Sequence, residues 1–206
     1  MDIDTVAVTT AFALWAAAVV SPGPAFAAIV HRSVSVGRQE SLLTVLGITT
    51  ASGIYGLLTI FGVGALIATS DVIQEAVRLL GAVYLIWLGI SAWKHAAVPV
   101  ALESGRFPHR ADAFFGGLMI EFGNPKGIAF FLSVFAVAMP ADASLATKLL
   151  TISGGLAFEL AWYAAAALIL GSHSARRAYG RAKPTVERLF GGLFVGLGMH
   201  LLLSRS

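Results

Sequence analysis

Three ionisable side chains, Glu121, Lys126 and Glu159, stand inside otherwise apolar stretches of this 206-residue sequence. Two carboxylates and an amine sheltered from water can do one of two things. They can close on each other as a structural ion pair, Lys126 with Glu121 or with Glu159. Alternatively they can face a shared polar site, where the amine meets a solute's carboxylate and an acid meets an ammonium or carries a proton. An unpaired charge at mid-bilayer costs about 2.5–3.5 kcal/mol, so three would cost roughly 8–10 kcal/mol. That rivals the stability of a whole domain. The three must therefore be paired, neutral or hydrated. With two acids to one base, one carboxylate is left to titrate or to meet a cation. His200, near the outer end of the last apolar run, reads as an interfacial or packing histidine.

The backbone around these groups is interrupted. Ser21-Pro22-Gly23-Pro24 lies in the first apolar run, and Gly123-Asn124-Pro125-Lys126-Gly127 lies in the fourth. Proline removes a backbone donor and clashes with the preceding turn, so a helix bends or stops at each. Single prolines are also ordinary kinks. Breaks at matching places in two halves are different, because freed backbone groups at membrane depth must meet protein, water or a ligand. The candidate binding and coupling residues are thus Ser21, Pro22, Gly23, Pro24, Glu121, Asn124, Pro125, Lys126 and Glu159. Trp162, one turn from Glu159, is a candidate to line the same cavity.

The elements that must hold these residues are transmembrane helices. Hydrophobic residues make up 57% of the chain and charged ones 12%, about half the charge of a soluble domain. About twenty apolar residues cross the hydrocarbon core as a helix, which predicts spans over 5–30, 42–69, 76–93, 114–138, 148–171 and 187–204. The first run follows an acidic lead, so it is expected to be retained as a helix instead of cleaved as a signal peptide. Alternate connections carry ten basic residues (Arg32, Arg38, Lys94, Arg106, Arg110, Arg176, Arg177, Arg181, Lys183, Arg188) against three (Arg78, Lys148, Arg205). By the positive-inside rule both termini are extracytoplasmic in a multi-pass inner-membrane protein. The run 172–188 reads as a solvated cytoplasmic loop.

The expected architecture is all-α, one transmembrane domain over 1–206, with half-repeats at about 1–95 and 112–206. Opposite starting sides make the halves an inverted repeat with broken first and fourth helices. Gly123/Gly127 and Gly192/Gly196 are small-xxx-small pairs that permit close packing within one subunit or across a homodimer. Trp87, Trp93 and Tyr84 read as interfacial anchors or core.

Several chemistries are excluded. The chain has no cysteine, which removes disulfides, thiolate metal sites and thiol redox. It carries no phosphate loop, nucleophile elbow or His-rich cluster, so no cofactor, resident metal or ATP-driven step is expected. An intramembrane enzyme would need Ser21 or Ser52 paired with Glu121. The net charge of +3 is dispersed between apolar runs, not gathered into a stripe for nucleic acid.

The motifs together resemble the lysine-exporter (LysE/RhtB) family of bacterial amino-acid exporters, essentially end to end. The resemblance is carried by Ser21-Pro22-Gly23-Pro24, Gly37-Arg38 with Gly47, and Leu80-Gly81-Ala82-Val83-Tyr84-Leu85 with Leu88-Gly89. Asn124-Pro125-Lys126 and Glu159 with Trp162 complete it. It implies proton-driven export of amino acids or close derivatives from the cytoplasm. Family members often carry an acid where this chain has Ser52, and a neutral polar residue where it has Glu121. Distant relatives move inorganic ions, so export of metal or other ions by the two carboxylates is the alternative.

Overall fold

The computed structural model describes residues 3–63, 70–98, 110–140, 142–170 and 172–203. Eight α-helices run in order among the described residues: α1 Thr5–Val20, α2 Pro24–Ser35, α3 Arg38–Leu58, α4 Asp71–His95, α5 Arg110–Phe122, α6 Pro125–Ala138, α7 Leu145–Ile169 and α8 His173–Leu203. Among the described residues there is no strand. Arg38–Leu58, Glu75–His95, Leu145–Ile169 and Arg177–Leu203 are each long and apolar enough to cross a membrane. The bent pair α1 and α2 passes the same test together, with 48° between its parts. Large side chains such as Leu80 (70% exposed), Leu189 and Leu203 point outward, as lipid-facing positions do.

Both expected breaks are present, and their local chemistry explains them. Pro22 disfavours the helical conformation at the residue before it, and Ser21 is extended at φ −65°, ψ 98°. Pro24 then opens α2 at a first-turn position, where its missing N–H costs nothing. In the second break Asn124 precedes Pro125, is likewise extended, and caps α6 by accepting from Lys126 N at 3.1 Å. Helices α5 and α6, of 13 and 14 residues, therefore flank a two-residue gap at Gly123 and Asn124. Between α2 and α3 the chain turns at Gly37, whose φ of 139° few other residues adopt.

Helices approach closely where glycine removes the side chain. A Cβ at Gly47 would overlap the carbonyl of Phe114, and one at Gly117 would overlap that of Thr44, which locks α3 to α5. Gly89 and Gly191 do the same for α4 and α8, with Gly198 against the carbonyl of Ala82. Of the expected pairs, Gly127 packs beneath the Glu121 carboxylate, while Gly192 and Gly196 are exposed on the subunit's surface.

Two further expectations change. The run 172–188 is not a loop, because α8 continues through it with Pro184 inside the helix. Lys183 and Glu187 are buried there and ion-paired at 3.3 Å, and Lys183 Nζ donates to His95 O at 2.9 Å. That anchoring to the end of α4 holds helical a stretch whose charge and proline suggest a loop. The second span ends as a helix at Leu58 and adds a π-helical turn, Thr59–Val63; its remainder, 64–69, lies outside the described residues, as do Arg106, Gly171 and Ser204. Trp93 has an anchoring contact, its Nε1 donating to Arg188 O at 2.9 Å, while Trp87 is exposed beside Tyr84.

Candidate functional site

Helices α1, α3, α5, α6 and α7 contribute to a small cavity of about 30 Å³ whose lining includes Glu121, Glu159, Lys126, Ser52, Trp15 and Tyr163. The two carboxylates, far apart in sequence, thus share one chamber. Each is buried and held by neutral donors. Glu159, 3% exposed, accepts from Trp15 Nε1 at 3.0 Å and from Ser52 Oγ at 2.8 Å. Glu121, 5% exposed, accepts from Asn124 Nδ2 at 3.0 Å. Asn124 therefore has two tasks: its oxygen caps α6 and its amide holds Glu121.

Among the described residues Lys126 makes no ion pair with either acid, unlike Lys183, which pairs with Glu187. Its ammonium donates instead to Ser21 O at 2.5 Å, the carbonyl freed at the end of α1. A cation at a helix C-terminus is favoured by the dipole. Gly23 leaves room for this contact, since a Cβ there would stand 3.3 Å from Lys126 Cδ. The first break is thus closed by a side chain from the second. Tyrosines cover the second break: Tyr55 OH donates to Phe122 O at 3.0 Å and Tyr84 OH to Pro125 O at 3.1 Å.

Beyond the breaks lies a larger cleft of about 240 Å³. Its lining includes Pro22, Pro24, Pro125, His95, Glu187 and Phe194. Ser21, Gly23, Asn124 and Lys126 line both spaces, so the paired breaks form the wall between them.

Nine of the ten candidate residues meet at this wall or at the inner cavity. The exception is Trp162, which stacks on Phe158 with ring centroids 6.4 Å apart and lies outside the lining of both spaces. Its indole N–H is buried without a partner. Tyr163, the next residue, faces the cavity, because one step along a helix turns a side chain by about 100°. Sequence reasoning missed Trp15, which is 1% exposed and packs against Phe131 at 5.0 Å. Its only sequence signal was an aromatic with an N–H in an apolar helix two turns before a break.

Long apolar helices whose proline breaks meet at a polar cavity are the build of a membrane transporter. The family model described as LysE type translocator matches residues 16–205, and the chain belongs to that family. Its members are transporters and not enzymes. The chain is similar to the threonine efflux protein of Escherichia coli strain K12, at 28% identity over 192 residues, covering 91% of this chain and 93% of that protein. It is 28% identical over 198 residues to the threonine efflux protein of Salmonella typhimurium, with 91% and 93% covered. The homoserine/homoserine lactone efflux protein of Salmonella typhimurium is 26% identical over 186 residues, with 90% of each chain covered. No solved structure matches the chain.

Proposed function

We propose that this chain exports an amino acid or a related small metabolite across the bacterial inner membrane, as a proton-coupled secondary transporter. The observation that carries the reading is the wall itself. Lys126, without an acidic partner at ion-pair distance, bridges one break to the other. Behind it are two buried carboxylates bonded only to neutral donors. A substrate carboxylate would take Lys126 from Ser21 O, and Glu121 or Glu159 would carry the proton. The similarity to threonine and homoserine efflux proteins supports the substrate class.

In this reading α5 and α6 together form the fourth of six spans, in two inverted three-span halves. The packing pattern supports it. Exchanging α1–α2 with α5–α6, α3 with α7 and α4 with α8 turns the α1·α7 packing into α5·α3, and α1·α6 into α5·α2. It leaves α3·α7 and α4·α8 unchanged, and all of these packings occur. Other pairs are unequal: α2 packs on α3, whereas among the described residues their counterparts α6 and α7 hardly meet. Helices α4 and α6 pack broadly, whereas their counterparts α8 and α2 meet through Phe26 and Tyr179, with the larger cleft beside them. Alternating access would exchange that asymmetry, closing α2 on α8 while α4 parts from α6. By the distribution of basic residues, the open cleft faces the cytoplasm.

Among the described residues no three His, Asp or Glu side chains are grouped to hold a metal ion. Ion export thus rests on the two carboxylates alone, and amino-acid export is the stronger reading. A thermal-shift screen of the purified protein tests it, since a ligand selective for the folded state raises the apparent stability. L-threonine or another amino acid should raise Tm while divalent metal salts do not. A Tm raised by metal salts and by no amino acid would reverse the assignment.

A further inference from the structure

The inner cavity of about 30 Å³ has room for two waters at about 10–15 Å³ each, and not for an amino acid. In this conformation a substrate cannot lie between Lys126 and Glu121 or Glu159. The larger cleft, about 240 Å³, is the space that fits one, and its lining includes one basic and one acidic side chain. Lys126 reaches into it from the second break, and Glu187 stands on α8.

Both groups have bonding capacity to spare. Lys126 spends one of its three N–H donors on Ser21 O, leaving two. Glu187 is buried, and Lys183 meets it through Oε1 at 3.3 Å, while a carboxylate offers about four acceptor sites. Lys183 is itself fixed by the end of α4, donating to His95 O at 2.9 Å and Ala96 O at 3.4 Å. The acid is therefore pre-positioned at the cleft wall, in a segment that the charge pattern alone assigns to a loop.

We propose that this cleft is the loading site for a zwitterion, with Glu187 receiving the substrate ammonium and Lys126 its carboxylate. The proposal deepens the amino-acid exporter reading and rests on it. Lys183 is a positioning residue that aims Glu187. Movement of the bound zwitterion past the broken helices would release Ser21 O from Lys126 and pass the ammonium from Glu187 towards Glu121 and Glu159.

Calorimetric titration of the full chain in lipid nanodiscs tests this with three probes. These are L-threonine, its des-amino analogue 3-hydroxybutanoate, and its carboxyl-reduced analogue threoninol. Wild type should bind L-threonine about tenfold or more tighter than either analogue. Glu187→Gln should bind L-threonine only as weakly as the des-amino acid, whose own affinity stays unchanged. Lys126→Met should show the mirror pattern, with L-threonine falling to the level of threoninol. Because Glu187→Gln leaves Lys183 buried without its partner, Lys183→Met/Glu187→Gln serves as the folded control and should show the same selective loss. L-threonine binding at wild-type affinity in either Glu187 variant would overturn the loading site while leaving the exporter reading intact. An equal loss of all three probes in the double variant, at unchanged Tm, would overturn it too. Wild-type protein that binds neither L-threonine nor any other amino acid would count against the exporter reading itself.

Discussion

Lys126 Nζ donates to the Ser21 carbonyl at 2.5 Å, so two helix breaks 105 residues apart in the sequence are tied by one hydrogen bond. Each break alone would be a kink. Tied together, they are a partition whose state depends on what Lys126 binds.

Lys126→Met removes both the tie and the charge. A hydrogen bond to a charged group is worth about 1.5–3 kcal/mol, equivalent to roughly 10–150-fold. Export in proteoliposomes should fall by at least that factor, while the protein still inserts and purifies as a monodisperse species. Wild-type export by this variant would show that the bond only packs the breaks.

Replacing Pro22-Gly23-Pro24 with alanines lets α1 and α2 join into one helix with continuous backbone bonds. Folded-state stability should hold or rise, because alanine supplies the missing donors and restricts the unfolded chain. Transport should be lost, since the methyl at position 23 presses on Lys126 and Ser21 O returns to the helix ladder. Melting curves and export rates measured side by side check both halves of this expectation.

Ser52→Ala leaves Glu159 with Trp15 as its one remaining donor. A buried acceptor deprived of a partner costs about 1–3 kcal/mol. The expected result is a lower Tm with export reduced but measurable. Glu159→Gln keeps an oxygen able to accept from both donors and should fold well while transporting poorly. An unchanged Tm in Ser52→Ala would show that this hydrogen bond does not contribute to the stability of the site.

The breaks and the central acids were legible from the sequence because proline, glycine and charge are costly in a membrane helix and so mark themselves. Ser52 shows the opposite case. Its sequence signal was the loss of an acid, yet it donates to the acid that remains, a relationship that depends on α3 lying against α7. Trp162 failed as a cavity residue for a rotational reason: whether position 162 or 163 faces inward is set by helix packing, which periodicity does not resolve in a helix apolar all round. The helical 173–188 segment was hidden because its stability comes from Lys183 reaching the carbonyls that end α4, a tertiary contact that overrides the proline.

Orientation can be checked directly, since the chain lacks cysteine. Single cysteines at Ser70, at the start of α4, and Ser174, in the first turn of α8, should behave oppositely. In intact cells a membrane-impermeant maleimide should label position 70 and spare position 174. Labelling of position 174 with protection of position 70 would invert the topology and the direction in which the cleft opens.

The most direct test of the account is export driven by an imposed pH gradient in proteoliposomes, comparing wild type, Glu121→Gln and Glu121→Gln/Lys126→Met. Were Glu121 and Lys126 a structural ion pair, removing one would strand a buried charge and removing both would be gentler. No such pair exists at contact distance, and Asn124 satisfies Glu121 instead. Glu121→Gln should therefore melt near wild type yet lose gradient-driven export, and the double variant should be equally inactive. Recovery of export in the double variant, or a wild-type rate in Glu121→Gln, would contradict this and leave Glu159 as the proton carrier.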